Sequence, residues 1–183
     1  MKVILISGKA GHGKDTFSAM LKEELEARGE KVFCPHFADL VKYYATKYCN
    51  WDGNKDEEGR ALLQKIGNNT FRQFDPDYWA RITSECVRVM GDYFGYTYAL
   101  IADTRYPNEI DIIKQYNPNV VTVRISRYND CGIMWINPNM TEEQLQNEGE
   151  IALDGYVFDY TIINSSLDEL HESAVALLED LTF

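Results

Sequence analysis

The sequence predicts an α/β fold, a parallel sheet layered between helices, on three observations. Residues 3–6 are an unbroken aliphatic run, the composition of a strand covered on both faces. A glycine-rich loop and then a helical pattern follow that run directly. Further strand-like runs alternate with helical ones, which is the repeat that builds parallel sheets.

Taken in order, the first strand ends at Ser7-Gly8, and the period changes at Lys14. Phe17, Met20, Leu21 and Leu25 then share one helical face, with Gly29 as the stop. Strands are expected at 31–34, 98–102, 120–126 and 160–163. The last helix, 167–181, has Leu170, Ala174, Val175, Leu177, Leu178 and Leu181 on a face suited to packing. Residues 50–58 and 127–149 are polar, glycine- and asparagine-bearing stretches that interrupt the alternation. They are expected to be surface excursions, the kind of segment from which lids are drawn.

A chain of 183 residues suits one domain, 1–183, and contains no internal repeat or linker. Its net charge of −11 disfavours a nucleic-acid polymer, although a few converging cations can still hold a mononucleotide. Cys34, Cys49, Cys86 and Cys131 lack metal-ligand spacing and are expected to be reduced. No stretch has the length of a membrane span or signal segment, so a cytoplasmic protein is expected.

Residues 8–14, Gly-Lys-Ala-Gly-His-Gly-Lys, match G-x-x-x-x-G-K between a buried strand and a helix start. That context lets successive N–H groups and the helix dipole face a phosphate, with Lys14 adding a point charge. His12 and Lys9 belong to the loop beside the phosphates. Asp15 stands where Ser or Thr is usual, and Thr16 follows it. Either could present oxygen to Mg²⁺, or Asp15 could simply favour the helix start.

The strand at 98–102 runs into Asp103-Thr104-Arg105-Tyr106-Pro107-Asn108-Glu109. An acid at the carboxyl end of a parallel strand can reach a metal or the acceptor region, and Asp103 is a candidate for that place. An Asp103–Arg105 ion pair bracing the turn is the alternative. Arginine forks suit phosphate, so Arg60, Arg72, Arg105, Arg124 and Arg127 are candidates, with Arg127 opening the lid-like stretch. Of the three tryptophans, Trp79 lies nearest Arg72 in sequence and is the one assigned to a substrate face. The Gln64 amide could read a base edge or lie on an exposed helix.

Five blocks, SGKAGHGKDTF at 7–17, HFADLVK at 36–42, LLQKIGNNTFR at 62–72 with DYW at 77–79, IADTRYPNEI at 101–110 and FDYTIIN at 158–164, resemble the phage-type deoxynucleoside monophosphate kinases. These are P-loop nucleoside monophosphate kinases, and the lysine–aspartate–threonine ending is common among them. The resemblance implies a P-loop NTPase-like three-layer sandwich with a five-stranded parallel sheet. It implies transfer of the ATP γ-phosphoryl group to a deoxynucleoside 5′-monophosphate with Mg²⁺. On matching positions, Gly11, His12, Gly13, Lys14, Asp15 and Thr16 would hold ATP, with Asn164 near the adenine. Arg72, Asp103, Arg105 and Glu109 would surround acceptor and metal, and Lys42 would face the acceptor. Residues 36–95 would form the acceptor side and 127–149 the lid; a homodimer is left open.

Related P-loop kinases of phosphomevalonate or dephospho-coenzyme A are the rival enzymes, and a nucleotide-dependent switch is the rival class. Against a GTPase, Asn54-Lys55-Asp56-Glu57 lacks the final Asp of the guanine-reading motif.

Overall fold

Strand β1, Lys2–Ser7, is the centre of the molecule, and its two side-chain rows are buried on opposite sides. Ile4 and Ile6 pack into one apolar cluster, while Val3 and Leu5 pack into another. A strand with both faces covered must lie inside a sheet layered by helices. The computed structural model describes residues 1–54, 56–129 and 131–181; Lys55 of the guanine-type stretch lies outside them.

The chain continues through α1 (Lys14–Ala27), β2 (Val32–Phe33), α2 (Asp39–Cys49), α3 (Glu57–Gln64) and a π-helical stretch, Lys65–Phe71. It then forms α4 (Tyr78–Phe94), β3 (Tyr98–Thr104), α5 (Pro107–Tyr116) and β4 (Val120–Arg127). Two four-residue helices, α6 (Glu142–Leu145) and α7 (Glu148–Ile151), precede β5 (Tyr160–Asn164) and α8 (Leu167–Asp180). The five strands are parallel in the order β2-β3-β1-β4-β5.

Helices α1 and α8 cover one face through Phe17, Leu21, Leu25, Leu170, Ala174 and Leu178. The other face is covered by α4 and α5 through Ala80, Val87, Ile110 and Ile113, joined by Phe37 and Leu153. Beyond α4, Val41, Ala45, Ile66 and Trp79 make a third cluster that ties α2 and the π-helical stretch to the body. The fold is therefore the expected α/β sandwich with a five-stranded parallel sheet.

Three expectations are adjusted. Strand β2 is two residues long because only Val32 and Phe33 pair, with Tyr98 and Ala99. The first excursion is shorter, since Glu57 and Glu58 already begin α3 behind the Asp56 cap, whose carboxylate accepts the Gly59 N–H. The second runs on past 149 to the start of β5, with Leu153, 2% exposed, fixing it to the core.

Candidate active site

The carboxyl ends of β1, β3, β4 and β5 converge, and each feeds a residue of the sequence-predicted set into the same region. Between β1 and α1 the loop turns through Gly11 at φ 82° and Gly13 at φ 96°, left-handed values that favour glycine. Space is closed there as well as angle. A Cβ on Gly11 would lie 2.5 Å from the Trp135 ring, and one on Gly13 would lie 2.5 Å from Asn164 Nδ2.

Lys14 is 8% exposed and curls back over the loop, donating to Gly8 O at 2.8 Å and Lys9 O at 3.0 Å. Burial, with the nearby Arg105 charge, lowers its pKa to about 8. An ammonium so placed gains on meeting an anion, because its charge is poorly solvated without one.

The His12 side chain is a brace within the protein. Its imidazole is 2% exposed; Nδ1 accepts the Arg127 N–H at 3.2 Å, and Nε2 lies 3.0 Å from Trp135 O. These partners assign the neutral ring with its proton on Nε2. Burial pushes its pKa down, which favours the same neutral form. The ring thereby joins the loop to the end of β4 and to the arm that follows it. That arm is a hairpin in which Trp135 N–H donates to Arg127 O at 2.9 Å and Tyr128 bridges Met134. The Arg127 guanidinium stacks on Trp135 at 4.7 Å from the ring centroid.

Asn164 is tied to the loop by its side chain. Its Nδ2 donates to His12 O at 2.9 Å and it is 9% exposed, so the amide braces the loop from β5. Trp79 is a correction: 2% exposed, with Nε1 donating to Gly67 O at 3.0 Å, it is core. The tryptophan at the loop is Trp135.

Asp103 leaves β3 beside a bulge, where Leu5 to Ser7 on β1 spans Ile101 to Thr104 on β3. Its two carboxylate oxygens accept the N–H groups of Phe37 at 3.0 Å and Ala38 at 3.1 Å. Burial raises its pKa, opposed by the His36 charge and those two bonds. It therefore holds the start of α2 rather than pairing with Arg105. His36 stands close by, with Nδ1 3.6 Å from Asp39 Oδ1 and Nε2 4.0 Å from Asp15 Oδ1. Its hydrogen bond with Asp39 raises its pKa. Lys42 Nζ donates to Asp39 at 3.3 Å.

Arg105 pairs with Glu150 and donates to Gly149 O at 3.2 Å. Arg72, one residue past the π-helical stretch, reaches Glu109 at 2.7 Å and covers the Tyr106 ring at 4.2 Å. Glu109 is 2% exposed and also accepts the N–H groups of Arg105 at 2.7 Å and Tyr106 at 3.1 Å. Arg124 spans Ser7 Oγ at 3.0 Å and Asp154 at 2.7 Å, and Lys9 takes the other Asp154 oxygen at 2.9 Å. A cavity of about 360 Å³ beside Lys9, His12 and Arg124 lies within the size range of small-ligand sites. Gln64 is exposed at the end of α3.

Among the described residues no three His, Cys, Asp or Glu side chains form a metal-holding group. Asp15 and Thr16 are exposed at the loop exit, next to Lys14, whereas Asp103 spends its oxygens on amides. Mg²⁺ keeps several waters and takes one or two protein ligands plus phosphate, so Asp15 and Thr16 fit it better than Asp103.

The residues missed from sequence are Glu150, Asp154 and Trp135. Each acts on residues more than a hundred positions away or, for Asp154, also across thirty, and no local spacing marks such partners.

No protein-family model matches the sequence, and no curated protein matches it. Solved structures do match in shape. A sugar kinase from Janibacter sp. superposes with a TM-score of 0.57 at 17% identity, covering 98% of this chain and 95% of that one. A gluconokinase from Sinorhizobium meliloti gives 0.56 at 16%, covering 98% and 93%. The Mycobacterium tuberculosis APS kinase in complex with AMPPNP and APS gives 0.54 at 14%, covering 97% of each chain. At such identity the shared property is the fold, and this chain has the α/β fold of these kinases over nearly its whole length.

Proposed function

We propose that the protein is an ATP-dependent kinase that transfers the γ-phosphoryl group to a deoxynucleoside 5′-monophosphate. One observation carries the kinase reading: a buried lysine, Lys14, closes a glycine loop at the start of a helix, its pKa lowered by that burial and then by the nearby Arg105 charge. A site already rich in positive charge favours an anion, and phosphoryl transfer is catalysed chiefly by such positioned charge.

In this reading the amides of Gly11, His12, Gly13 and Lys14 hold the donor phosphates, with Lys14 on the outer ones. Arg127, exposed at the end of β4, would turn its guanidinium from the Trp135 ring toward the transferring group. Arg72, Arg105, Glu109 and Lys42 lie on the acceptor side, walled by residues 36–95, with Arg105 also facing the transferring group, and 127–149 acts as the lid. Asp15 and Thr16 would hold Mg²⁺, which supplies charge neutralisation on the phosphates when bound. No covalent nucleophile is needed. The substrate is a mononucleotide rather than a polymer, given the charge of −11. Among the described residues no helix is long and apolar enough to cross a membrane.

The choice of acceptor rests on the resemblance of the five sequence blocks. A second reading, a P-loop kinase of another small acceptor, is favoured by one feature: Arg72 and Arg105 already have carboxylate partners, Glu109 and Glu150. An acceptor that meets the site through a hydroxyl, with its own anionic group held away from Arg72 and Arg105, would leave those pairs intact. The test is purified protein with ATP and Mg²⁺ against a panel of deoxynucleoside and ribonucleoside monophosphates, phosphomevalonate, dephospho-coenzyme A, gluconate and APS. Diphosphate formation from a deoxynucleotide supports the first reading. ADP release that depends on none of the nucleotides removes it.

A further inference from the structure

The phosphate loop already holds an anion, and it comes from the chain itself. Glu150, 8% exposed, accepts the Ala10 N–H at 2.8 Å through Oε2 and pairs with Arg105 through Oε1. Its charge is also felt at Lys14. A loop amide and a guanidinium on one carboxylate, within the field of a lysine ammonium whose own bonds go to Gly8 O and Lys9 O, is the kind of setting a phosphoryl group takes.

The contact is part of a clasp. Asp154, four positions on, takes Lys9 and Arg124 with its two oxygens. Leu153, 2% exposed, roots the segment between them in the core. One short stretch thus supplies both carboxylates that neutralise Lys9, Arg105 and Arg124.

We infer that Glu150 stands in for a phosphoryl group. Its carboxylate fills the anion position formed by Ala10 N–H and Arg105 until an outer phosphate of the nucleotide takes that position. Two anions cannot share it: each would lose donors to the other and repel it in a poorly solvated site. Donor binding and release of residues 148–154 from the loop are therefore one event, in which Arg105 exchanges a carboxylate for a phosphate. Arg105 is then delivered only when a donor has arrived. The inference rests on ATP being the loop's ligand and is independent of the acceptor.

The test is calorimetric binding of ATP and of inorganic tripolyphosphate, without acceptor, to the wild type, Glu150→Gln and Asp154→Asn. Glu150→Gln is expected to bind both ligands about tenfold more tightly, since competition by a charged group is gone. Asp154→Asn removes the same charge but no contact to a loop amide, so its gain is expected to stay below about threefold. Equal gains in the two variants, a gain confined to ATP, or no gain for Glu150→Gln would overturn the inference while leaving ATP binding itself intact. ATP that binds none of the three proteins would overturn both this inference and the kinase reading.

Glu150→Gln leaves Arg105 without its charge partner, so the wild type is examined alongside by hydrogen exchange. ATP is expected to speed exchange at the amides of Glu150 and Ala152, which bond Asn147 O and Glu148 O, and to slow it at Phe17, which bonds Gly13 O. Unchanged or slower exchange at 150 and 152 overturns the inference.

Discussion

Glu109 joins Arg72 to Arg105: one oxygen receives the Arg72 guanidinium at 2.7 Å and the other receives the Arg105 backbone N–H at 2.7 Å. The carboxylate is 2% exposed, so its three donors are what make its burial tolerable. Glu109→Ala is expected to cost about 3 kcal/mol in urea unfolding, since breaking a buried pair strands its partner. Glu109→Gln keeps one acceptor oxygen and is expected to cost roughly half of that. In steady-state kinetics both should raise KM for the acceptor more than for ATP, because Arg72 and the Arg105 turn are what they loosen.

Lys14 carries a pH dependence whose sign is fixed by its burial. With a folded pKa of about 8 against 10.5 for the free side chain, the loop lysine binds fewer protons folded than unfolded between those values. Stability of the nucleotide-free protein should therefore rise with pH across that window. ATP affinity should do the reverse, staying level below pH 8 and falling above it as the ammonium is lost. Titration calorimetry from pH 6.5 to 9.5 tests this, and Lys14→Met should abolish the slope. Lys14→Ala should lower kcat/KM by roughly 10³-fold or more, as loss of a charge aimed at the transferring group does.

Gly11 and Trp135 form a pair that a mutant cycle can separate. Gly11 sits at φ 82°, and its absent Cβ would lie 2.5 Å from the Trp135 ring. Gly11→Ala therefore carries two costs, about 1–2 kcal/mol for the left-handed backbone and a steric one against the indole. Removing the ring in Trp135→Ala relieves only the second. Thermal unfolding and ATP binding of the four proteins should give a favourable coupling of about 1–2 kcal/mol in the double variant. Strict additivity would mean that the hairpin swings clear of the loop in solution.

The parallel sheet was legible because its signals are local. An aliphatic run such as 3–6, followed by glycines and a change to helical period at Lys14, needs no knowledge of distant residues. The tryptophans show where local signals stop. Trp79 lies seven positions from Arg72 yet points into the third apolar cluster, because the amphipathic face of α4 packs there and Gly67 O accepts its indole proton. Trp135 looks like one more residue of a polar excursion, but Arg127 and His12 fold it back onto Gly11. Glu150 and Asp154 were hidden for the same reason. A carboxylate 140 positions from the amide it meets has no sequence spacing to betray it.

Asp103 gives the sharpest division between a structural and a metal-holding role. Both oxygens accept amide protons at the head of α2, and no other acceptor serves Phe37 and Ala38 among the hydrogen bonds described. Asp103→Asn can replace one of those two bonds and turns an amide N–H against the other donor. It is expected to cost about 1–3 kcal/mol in urea unfolding through the stranded buried donor. Because α2 carries Asp39 and Lys42, acceptor KM should rise with it, while the Mg²⁺ concentration for half-maximal activity should stay within about twofold of wild type. A tenfold or greater rise in that Mg²⁺ requirement, with stability unchanged, would mean that Asp103 abandons the amides for the metal once nucleotide is bound. Thr16→Val tests the other side of the assignment. The exposed hydroxyl makes little difference to folding, so a raised Mg²⁺ requirement in that variant would locate the metal at the loop exit.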